Sequence, residues 1–199
     1  MDHAYFRVLW HNLAEIVPGV LYRSNHPTPG RLAHWVRRLG LRTVVNLRGP
    51  KACGSTSLTE DEARRLGVDH VYMAFESRGA PHRDRILRFY DIYRTMQRPA
   101  LMHCKSGADR AGLAAGLAVL FEGGTAADAL KQLSWRFGHW AHSRTGVLDA
   151  FFVHYAATGE GRKPFIAWVD EDYDEADLRS KFAASGLSSF LNDRILRRE

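Results

Sequence analysis

The sequence alternates short apolar segments rich in β-branched residues with longer amphipathic segments, and this alternation is the feature that most restricts its fold. Residues 43–48 (Thr-Val-Val-Asn-Leu-Arg) are typical of a strand that is buried on both faces. We predict strands over residues 20–23, 43–48, 70–75 and 99–103, and helices over residues 29–40, 59–66, 84–96, 110–121, 125–137 and 147–157. Strands separated by helices favour an α/β fold with a mostly parallel central sheet flanked by helices.

The ends of several predicted helices follow from the residue types found there. Pro29 starts the first helix and Gly40 ends it. Thr59 and Glu62 have capping-box spacing, which predicts that the second helix begins at Thr59. Asp84 is expected to cap the third helix.

The length of 199 residues fits one domain, or one domain with an appendage. Segment 158–164 is the one linker-like shift in composition. It divides a domain over residues 1–161 from a C-terminal helical extension over residues 162–199. Because aromatic residues are scarce in disordered tails, those in the extension favour docking on the domain over a flexible acidic tail.

The composition is that of a soluble globular protein, with 45% hydrophobic and 25% charged residues, and it excludes collagen, coiled coils and disordered chains. The formal net charge is +6, and the excess lies within residues 1–161. This charge predicts an anionic partner, which could be nucleic acid, an anionic membrane surface or a phosphorylated substrate, unless it is only a solvated basic surface. No zinc-finger spacing, aromatic–basic motif or recognition helix supports nucleic acid, so we expect no nucleic-acid partner.

The same composition bears on location. The longest nearly uncharged apolar stretch, residues 111–121, is too short to span a bilayer, and the N-terminus shows no secretory signal. Two cysteines, Cys53 and Cys104, do not make a disulfide framework. We therefore expect a cytoplasmic protein without a transmembrane segment. Peripheral contact with an anionic membrane and the oligomeric state stay open.

Residues 103–110 (His-Cys-Lys-Ser-Gly-Ala-Asp-Arg) join a predicted strand to a predicted helix and are the strongest motif in the chain. Five residues separate Cys104 from Arg110, so the backbone between them can curl into a cup of inward-pointing N–H groups. Gly107 permits a conformation that a side chain would obstruct. The Arg110 guanidinium can bind two oxygens of a phosphate, and the amides and helix N-terminus favour the thiolate of Cys104. The fixed spacing disfavours the alternative of a structural cysteine with a chance arginine.

This run resembles the active-site loop of the cysteine-based protein tyrosine and dual-specificity phosphatases, and residues 21–24 and 41–48 resemble its compact bacterial branch. The resemblance covers about residues 18–157 and implies a phosphatase-type fold. It also implies hydrolysis of a phosphate monoester in two steps, without a metal or cofactor. The cysteine thiolate takes the phosphoryl group while a carboxylic acid protonates the leaving oxygen, and water then releases phosphate.

By this resemblance Cys104 is the nucleophile. The phosphate-binding residues are then Lys105, Ser106, Gly107, Ala108, Asp109 and Arg110. His103 is expected to order the loop and to help hold the thiolate. Ala111 stands where most relatives have Ser or Thr, so the second step is expected either to be slow or to rely on Asp109 and the amides alone.

The general acid is less well defined, because the upstream loop 76–84 has no Asp before its proline, where most relatives carry one. We expect Asp109, on the rim of the pocket, to be the acid. Its alternative roles are to orient Arg110 or to cap the following helix. Glu76 is the second candidate, and Asp84 is explained more simply as a helix cap.

The substrate stays open among phosphotyrosine or another phosphoprotein, an inositol phospholipid and other phosphomonoesters. Lys105 gives some weight to inositol phospholipids, because relatives acting on them often have Lys at this position. Arg48 is best placed to widen the anion site, whereas Arg23 and Arg78 are expected at the surface. His139 and His142 have no third ligand in an obvious pattern, so we expect no metal site.

Two competing functions remain: a rhodanese-like sulfurtransferase and a catalytically slow phosphate-binding module. The order of strand, cysteine loop and long helical part favours the phosphatase. Cys53 follows the strand that ends at Arg48, so it could form a reversible disulfide with Cys104. The alternative is that Cys53 is an incidental thiol.

Overall fold

A computed structural model describes residues 11–50, 54–76 and 78–183. Its centre is a sheet whose strands are β1 (Ala14–Val17), β2 (Leu21–Ser24), β3 (Thr43–Asn46), β4 (Asp69–Tyr72) and β5 (Ala100–His103). The strand order is β1-β2-β5-β3-β4. β1 is antiparallel to β2, and the other neighbouring pairs are parallel. The predicted α/β fold with a mostly parallel sheet is confirmed.

Helices cover the sheet. They are α1 (Pro29–Leu39), α2 (Gly54–Arg65), α3 (Arg83–Thr95), α4 (Asp109–Phe121), α5 (Ala126–Leu130), α6 (Val147–Thr158) and α7 (Phe165–Glu171), with 3-10 turns at Trp135–Phe137 and Arg144–Gly146. Residues 175–183 are also helical. Within the described ranges no helix combines the length and the apolar character needed to cross a membrane.

The sheet places the motif of residues 103–110 at its centre. β5 lies between β2 and β3, and all four of its residues are buried. Its last residue, His103, is in register with Ser24 at the end of β2 and Asn46 at the end of β3. Because the carboxyl ends of these parallel strands meet at one edge, the loop after His103 emerges where α/β sheets place their ligands.

α4 begins directly after this loop and is apolar on nearly every face, so it is buried along most of its length. Gly116 lets α6 approach closely, since a Cβ atom there would lie 2.5 Å from Cζ of Phe152. α4 is therefore held between the sheet and the C-terminal helices, and its first turn is fixed beneath the loop.

Several predicted boundaries are wrong for local reasons. α2 begins at Gly54, so Thr59 lies within the helix, where its hydroxyl donates to the Ser55 carbonyl at 2.9 Å instead of capping. The N-cap of α3 is His82, and Asp84 lies in the first turn. The predicted helix 125–137 is regular only in α5 and then changes to turns.

Residues 162–183 pack on the helical layer. Trp168 is fully buried beside Phe151 and Tyr155, and its indole N–H donates to the Thr158 hydroxyl at 3.1 Å. The hydroxyl of Tyr173 donates to the Pro81 carbonyl at 2.7 Å, and burial raises the pKa of this phenol. A division of the chain at residue 161 stays a prediction, and residues 184–199 lie outside the described part.

Candidate active site

Four carbonyl groups of the 103–110 loop, those of residues 105–108, accept hydrogen bonds from residues outside the loop. The backbone N–H of His26 donates to the Lys105 carbonyl at 3.4 Å. The side-chain amide of Asn12 donates to the Ser106 carbonyl at 2.8 Å. When the carbonyls of a loop are held outward, the intervening N–H groups are left to face inward, which is the arrangement of an anion-binding nest.

Arg23 completes this arrangement from beneath the loop. Its Nη2 donates to the carbonyls of Gly107 at 2.7 Å and Ala108 at 3.1 Å. Its Nη1 donates to the Gln132 carbonyl at 2.6 Å, and the guanidinium stacks on the Phe137 ring at 3.9 Å from the centroid. One buried side chain therefore joins the loop to the segment that follows α5.

The expectation that Arg23 lies at the surface is wrong, since its relative exposure is 0%. Burial lowers the pKa of Arg23 to about 10, although the charges of Cys104 and Asp109 act in the opposite direction. At neutral pH the guanidinium is therefore still a cation, placed close to the cysteine. Arg78 is exposed, as expected.

Cys104 lies at the base of the loop and is only 2% exposed. The N–H of Gly107 donates to its Sγ at 3.3 Å. Gly107 has a φ of +77°, and a Cβ atom there would lie 2.7 Å from the backbone nitrogen of Asn25. Both the backbone angle and the lack of space therefore require glycine at this position.

His103 is fully buried, and its ring meets the His26 ring edge-to-face with 4.8 Å between centroids. Burial lowers the pKa of His103 well below its ordinary value, and the charges of His26 and His70 lower it further. The backbone of Cys104 acts in the opposite direction and raises this pKa, and neither ring nitrogen bonds a side chain in the described part of the protein. The described contacts thus fix the His103 ring by packing, without a bond to Sγ.

Two arginines stand near the mouth of the loop. Arg110 is half-buried in the first turn of α4, and its Nε is buried with no partner in the described part of the chain. Arg48 is half-exposed just beyond β3, where the preceding N–H, that of Leu47, donates to the His103 carbonyl at 2.9 Å. The Arg48 charge also lowers the pKa of His103, which places it on the same edge of the sheet.

Asp109 takes part in a hydrogen-bonded chain that the sequence did not predict. Its Oδ1 lies 2.8 Å from Nδ1 of His139, and Nε2 of the same ring lies 2.7 Å from Oδ2 of Asp149. Burial alone would lower the pKa of His139, but the hydrogen bonds and charges of the two carboxylates outweigh burial and raise it to about 9. At neutral pH His139 is therefore an imidazolium, held between the carboxyl groups of Asp109 and Asp149.

Glu76, the second candidate for the acid, is held by other groups. Its Oε1 accepts a hydrogen bond from Arg85 and lies 3.7 Å from Nε2 of His82. His82 in turn bonds Glu175 at 3.2 Å. Of the two candidate carboxyl groups, only that of Asp109 belongs to the loop itself.

Sequence reasoning missed Arg23, Asn12, His139 and Asp149 as parts of the site. Asp149 did leave a sign, because it is the one charged residue in the apolar run 147–153, where an acidic side chain needs a partner. His139 does not point toward a metal with His142, since a carboxylate occupies each of its ring nitrogens. Cys53 and its pairing with Cys104 lie outside the described residues.

A family model described as "DSP-PTPase phosphatase fused to NAD+ Kinase" matches residues 17–117, a range that runs from the end of β1 through the 103–110 loop into α4. The chain belongs to this family. It is thereby a member of the cysteine-based dual-specificity phosphatase superfamily.

Solved structures agree on the fold. The core catalytic domain of the PP-IP phosphatase SIW14 from S. cerevisiae superposes with a TM-score of 0.54 at 14% identity, over 89% of this chain and 94% of that chain. TpbA of P. aeruginosa superposes with a TM-score of 0.54 at 22% identity, over 87% of this chain and 91% of that chain. A search of the curated proteins finds no match. This phosphatase-family fold therefore positions the loop described above.

Proposed function

We propose that this chain is a phosphatase that hydrolyses phosphate monoesters through a phosphocysteine intermediate on Cys104. The membership of the family supports phosphatase activity in general. The observation that carries the finer proposal is the loop with its carbonyls bonded outward to His26, Asn12 and Arg23. Such a loop presents N–H donors to a tetrahedral anion and leaves the sulfur of Cys104 at its base.

In this proposal the thiolate of Cys104 attacks phosphorus in line with the ester oxygen that leaves. The phosphoryl oxygens lie against the amides of residues 105–110, where preorganised donors stabilise the charge that spreads over them in the transition state. Arg110 binds two of these oxygens with its planar fork. The cation of Arg23 lies beneath the loop and adds to the positive potential around the sulfur.

We assign the general acid to Asp109 and keep Glu76 as the alternative. Asp109 is the first residue of α4, beside Arg110, and its side chain is 26% exposed, so it can reach a leaving oxygen at the rim. Glu76 would first have to leave Arg85, which binds its Oε1. In the second step the same carboxylate can accept a proton from the attacking water.

The proposed substrate is a phosphoprotein, an inositol phosphate or phospholipid, or another anionic phosphomonoester, bound without a metal or cofactor. The yeast neighbour is described as a PP-IP phosphatase. Lys105 is exposed on the loop and Arg48 is half-exposed at the same edge, so both can add contacts to a substrate with more than one phosphate. Cytoplasmic location stays a prediction.

A slow phosphate-binding module is the second candidate, and Ala111 is the observation that favours it. Ala111 is fully buried at the start of α4 and offers no hydroxyl to stabilise the thiolate when phosphate leaves. A rhodanese-like sulfurtransferase is the remaining alternative. Thiosulfate with cyanide as substrates separates it from a phosphatase.

The test is steady-state hydrolysis of p-nitrophenyl phosphate, a phosphotyrosine peptide and a panel of phosphoinositides by the wild type, Cys104→Ser and Arg110→Lys. Serine is not ionised near neutral pH and a lysine cannot form the bidentate fork, so both variants should lose at least about a hundredfold in kcat/KM. Cys53→Ser is the matched control and should keep full activity under reducing conditions. Activity of Cys104→Ser close to that of the wild type would refute the mechanism.

A further inference from the structure

We propose that His139, fixed by Asp149, is a positioning residue that orients Asp109 and exchanges a proton with it during catalysis. This inference rests on the proposed function, in which Asp109 is the general acid. It adds two residues that lie 30 and 40 positions after Asp109 in the sequence.

With both carboxyl groups ionised, the hydrogen-bond pattern requires a protonated ring. Each nitrogen of His139 faces a carboxylate oxygen, Nδ1 facing Asp109 and Nε2 facing Asp149, and an ionised carboxylate can only accept. A neutral imidazole donates from one nitrogen only, so it would set a lone pair against one of the carboxylates. The imidazolium satisfies both. The side chain of His139 is only 1% exposed, so water does not replace either bond.

The backbone around His139 is tied to the 103–110 loop. The N–H of His139 donates to the Ser134 carbonyl at 3.1 Å, and Gly138 forms the turn before it with a φ of +79°. The side-chain amide of Asn12 bridges the carbonyls of Ser106 and Phe137, at 2.8 and 2.9 Å. These contacts hold the ring at a fixed place relative to the loop, so the position of Asp109 is defined from both sides.

The charged groups that act on His139 come from two helices, Asp109 from α4 and Asp149 from α6. Arg23, from β2, interacts electrostatically with Asp109 and Cys104. Asp149 is 10% exposed at its side chain and Asp109 is 26% exposed. Within the Asp109–His139–Asp149 hydrogen-bonded chain, the carboxyl group of Asp109 is thus more exposed to solvent than that of Asp149.

In the first step sulfur forms its bond to phosphorus and the bond from phosphorus to the leaving oxygen breaks. The proton on Nδ1 of His139 passes to the carboxylate of Asp109, which turns toward the pocket and delivers it to the leaving oxygen. The imidazole ring is then neutral, and its Nε2 keeps its proton and still donates it in a hydrogen bond to Asp149. In the second step water attacks phosphorus, the bond to sulfur breaks, and the proton of that water returns through Asp109 to Nδ1. The resting charges are restored.

The decisive variant is Asp149→Asn, which keeps an oxygen that can accept from Nε2 but removes the charge that stabilises the imidazolium. With phenyl phosphate, whose leaving oxygen needs a proton, we expect the alkaline limb of kcat to move to lower pH by about one unit or more. With p-nitrophenyl phosphate, which scarcely needs a proton, the effect should be small. His139→Gln should lower kcat for phenyl phosphate about a hundredfold with little change in KM.

The controls keep this test separate from that of the proposed function. Asp61→Asn removes a carboxylate that is 65% exposed in α2, and it should leave the alkaline limb of kcat unmoved with either ester. A folded, active Asp149→Asn with an unmoved limb, or equal losses on both esters in His139→Gln, would overturn this inference alone. A wild type that hydrolyses neither ester would overturn the proposed function and the proton exchange together. Nitrogen-15 NMR of the wild-type ring should show both nitrogens of His139 protonated at pH 8, and a neutral ring would also overturn the inference.

Discussion

Nη2 of Arg23 lies 2.7 Å from the carbonyl oxygen of Gly107, so a fully buried cation binds the outer side of the loop that holds Cys104. Arg23 is the third residue of β2, and β2 is hydrogen-bonded to β5, from which the loop emerges. The sheet therefore fixes the loop twice, through the strand that leads into it and through a side chain of the neighbouring strand. This second attachment makes the shape of the loop depend on a residue far from it in the sequence.

Arg23→Lys should damage the loop while keeping its positive charge. A lysine cannot donate at once to the carbonyls of Gly107 and Gln132, and each buried carbonyl without a donor costs about 1–3 kcal/mol, whereas the Ala108 carbonyl keeps the N–H of Gly112. We expect a loss of about 3 kcal/mol in the free energy of unfolding, measured in urea. Because a misplaced loop cannot align phosphorus with sulfur, kcat/KM should fall about a hundredfold.

Arg64→Lys is the matched control for this change, because the Arg64 side chain is 69% exposed. This variant should alter neither the free energy of unfolding nor kcat/KM. Full activity in Arg23→Lys would show that the loop holds its shape without the guanidinium.

Gly107→Ala should abolish activity, since the added Cβ would meet Asn25 and Ser24 backbone atoms at 2.7 and 2.8 Å at a φ of +77°. Gly123→Ala separates the effect of the steric clash from the effect of the positive φ. Gly123 has a φ of +81°, but nothing lies within 4 Å of its added Cβ, so this variant should lose about 1–2 kcal/mol of stability and keep its kcat. If Gly107→Ala keeps wild-type kcat/KM, the loop is not packed as described.

The sequence predicted the sheet, most helices and the cysteine loop, because these depend on local patterns. The strand β1 was missed, since four residues before the Pro18-Gly19 turn carry too little pattern. The start of α2 was missed because Gly54 and its neighbouring Ser residues are typical of a loop. The roles of Arg23 and His139 depend on contacts between distant segments, which no local pattern contains.

The stability of the fold should depend on pH through His139. Burial opposes protonation, but the two carboxylates prevail and raise the pKa from 6.5 to about 9, so the folded protein binds the proton more tightly than the unfolded chain. The resulting stabilisation is fully present below pH 6.5 and is lost as pH rises through about 9. Its size is of the order of 3 kcal/mol, since one pKa unit corresponds to about 1.4 kcal/mol.

Urea unfolding of the wild type and His139→Gln at intervals between pH 6 and pH 9.5 measures this contribution. Burial lowers the pKa values of His70 and His103, and because both residues are present in the two proteins, their contribution cancels in the difference. The difference between the two proteins should shrink as pH rises toward 9.5. A difference that stays constant across the window would mean that His139 is neutral in the folded protein.

The most direct test of the account is detection of the phosphoryl group on Cys104. The wild type is mixed rapidly with p-nitrophenyl phosphate, quenched in acid within one turnover, and its peptides are analysed by mass spectrometry. We expect one phosphoryl group on the peptide that contains Cys104, none in Cys104→Ser, and marked accumulation because Ala111 offers no hydroxyl for the second step. Release of p-nitrophenol with no phosphoryl group on Cys104 at any time, or at the same rate in Cys104→Ser, would contradict the account.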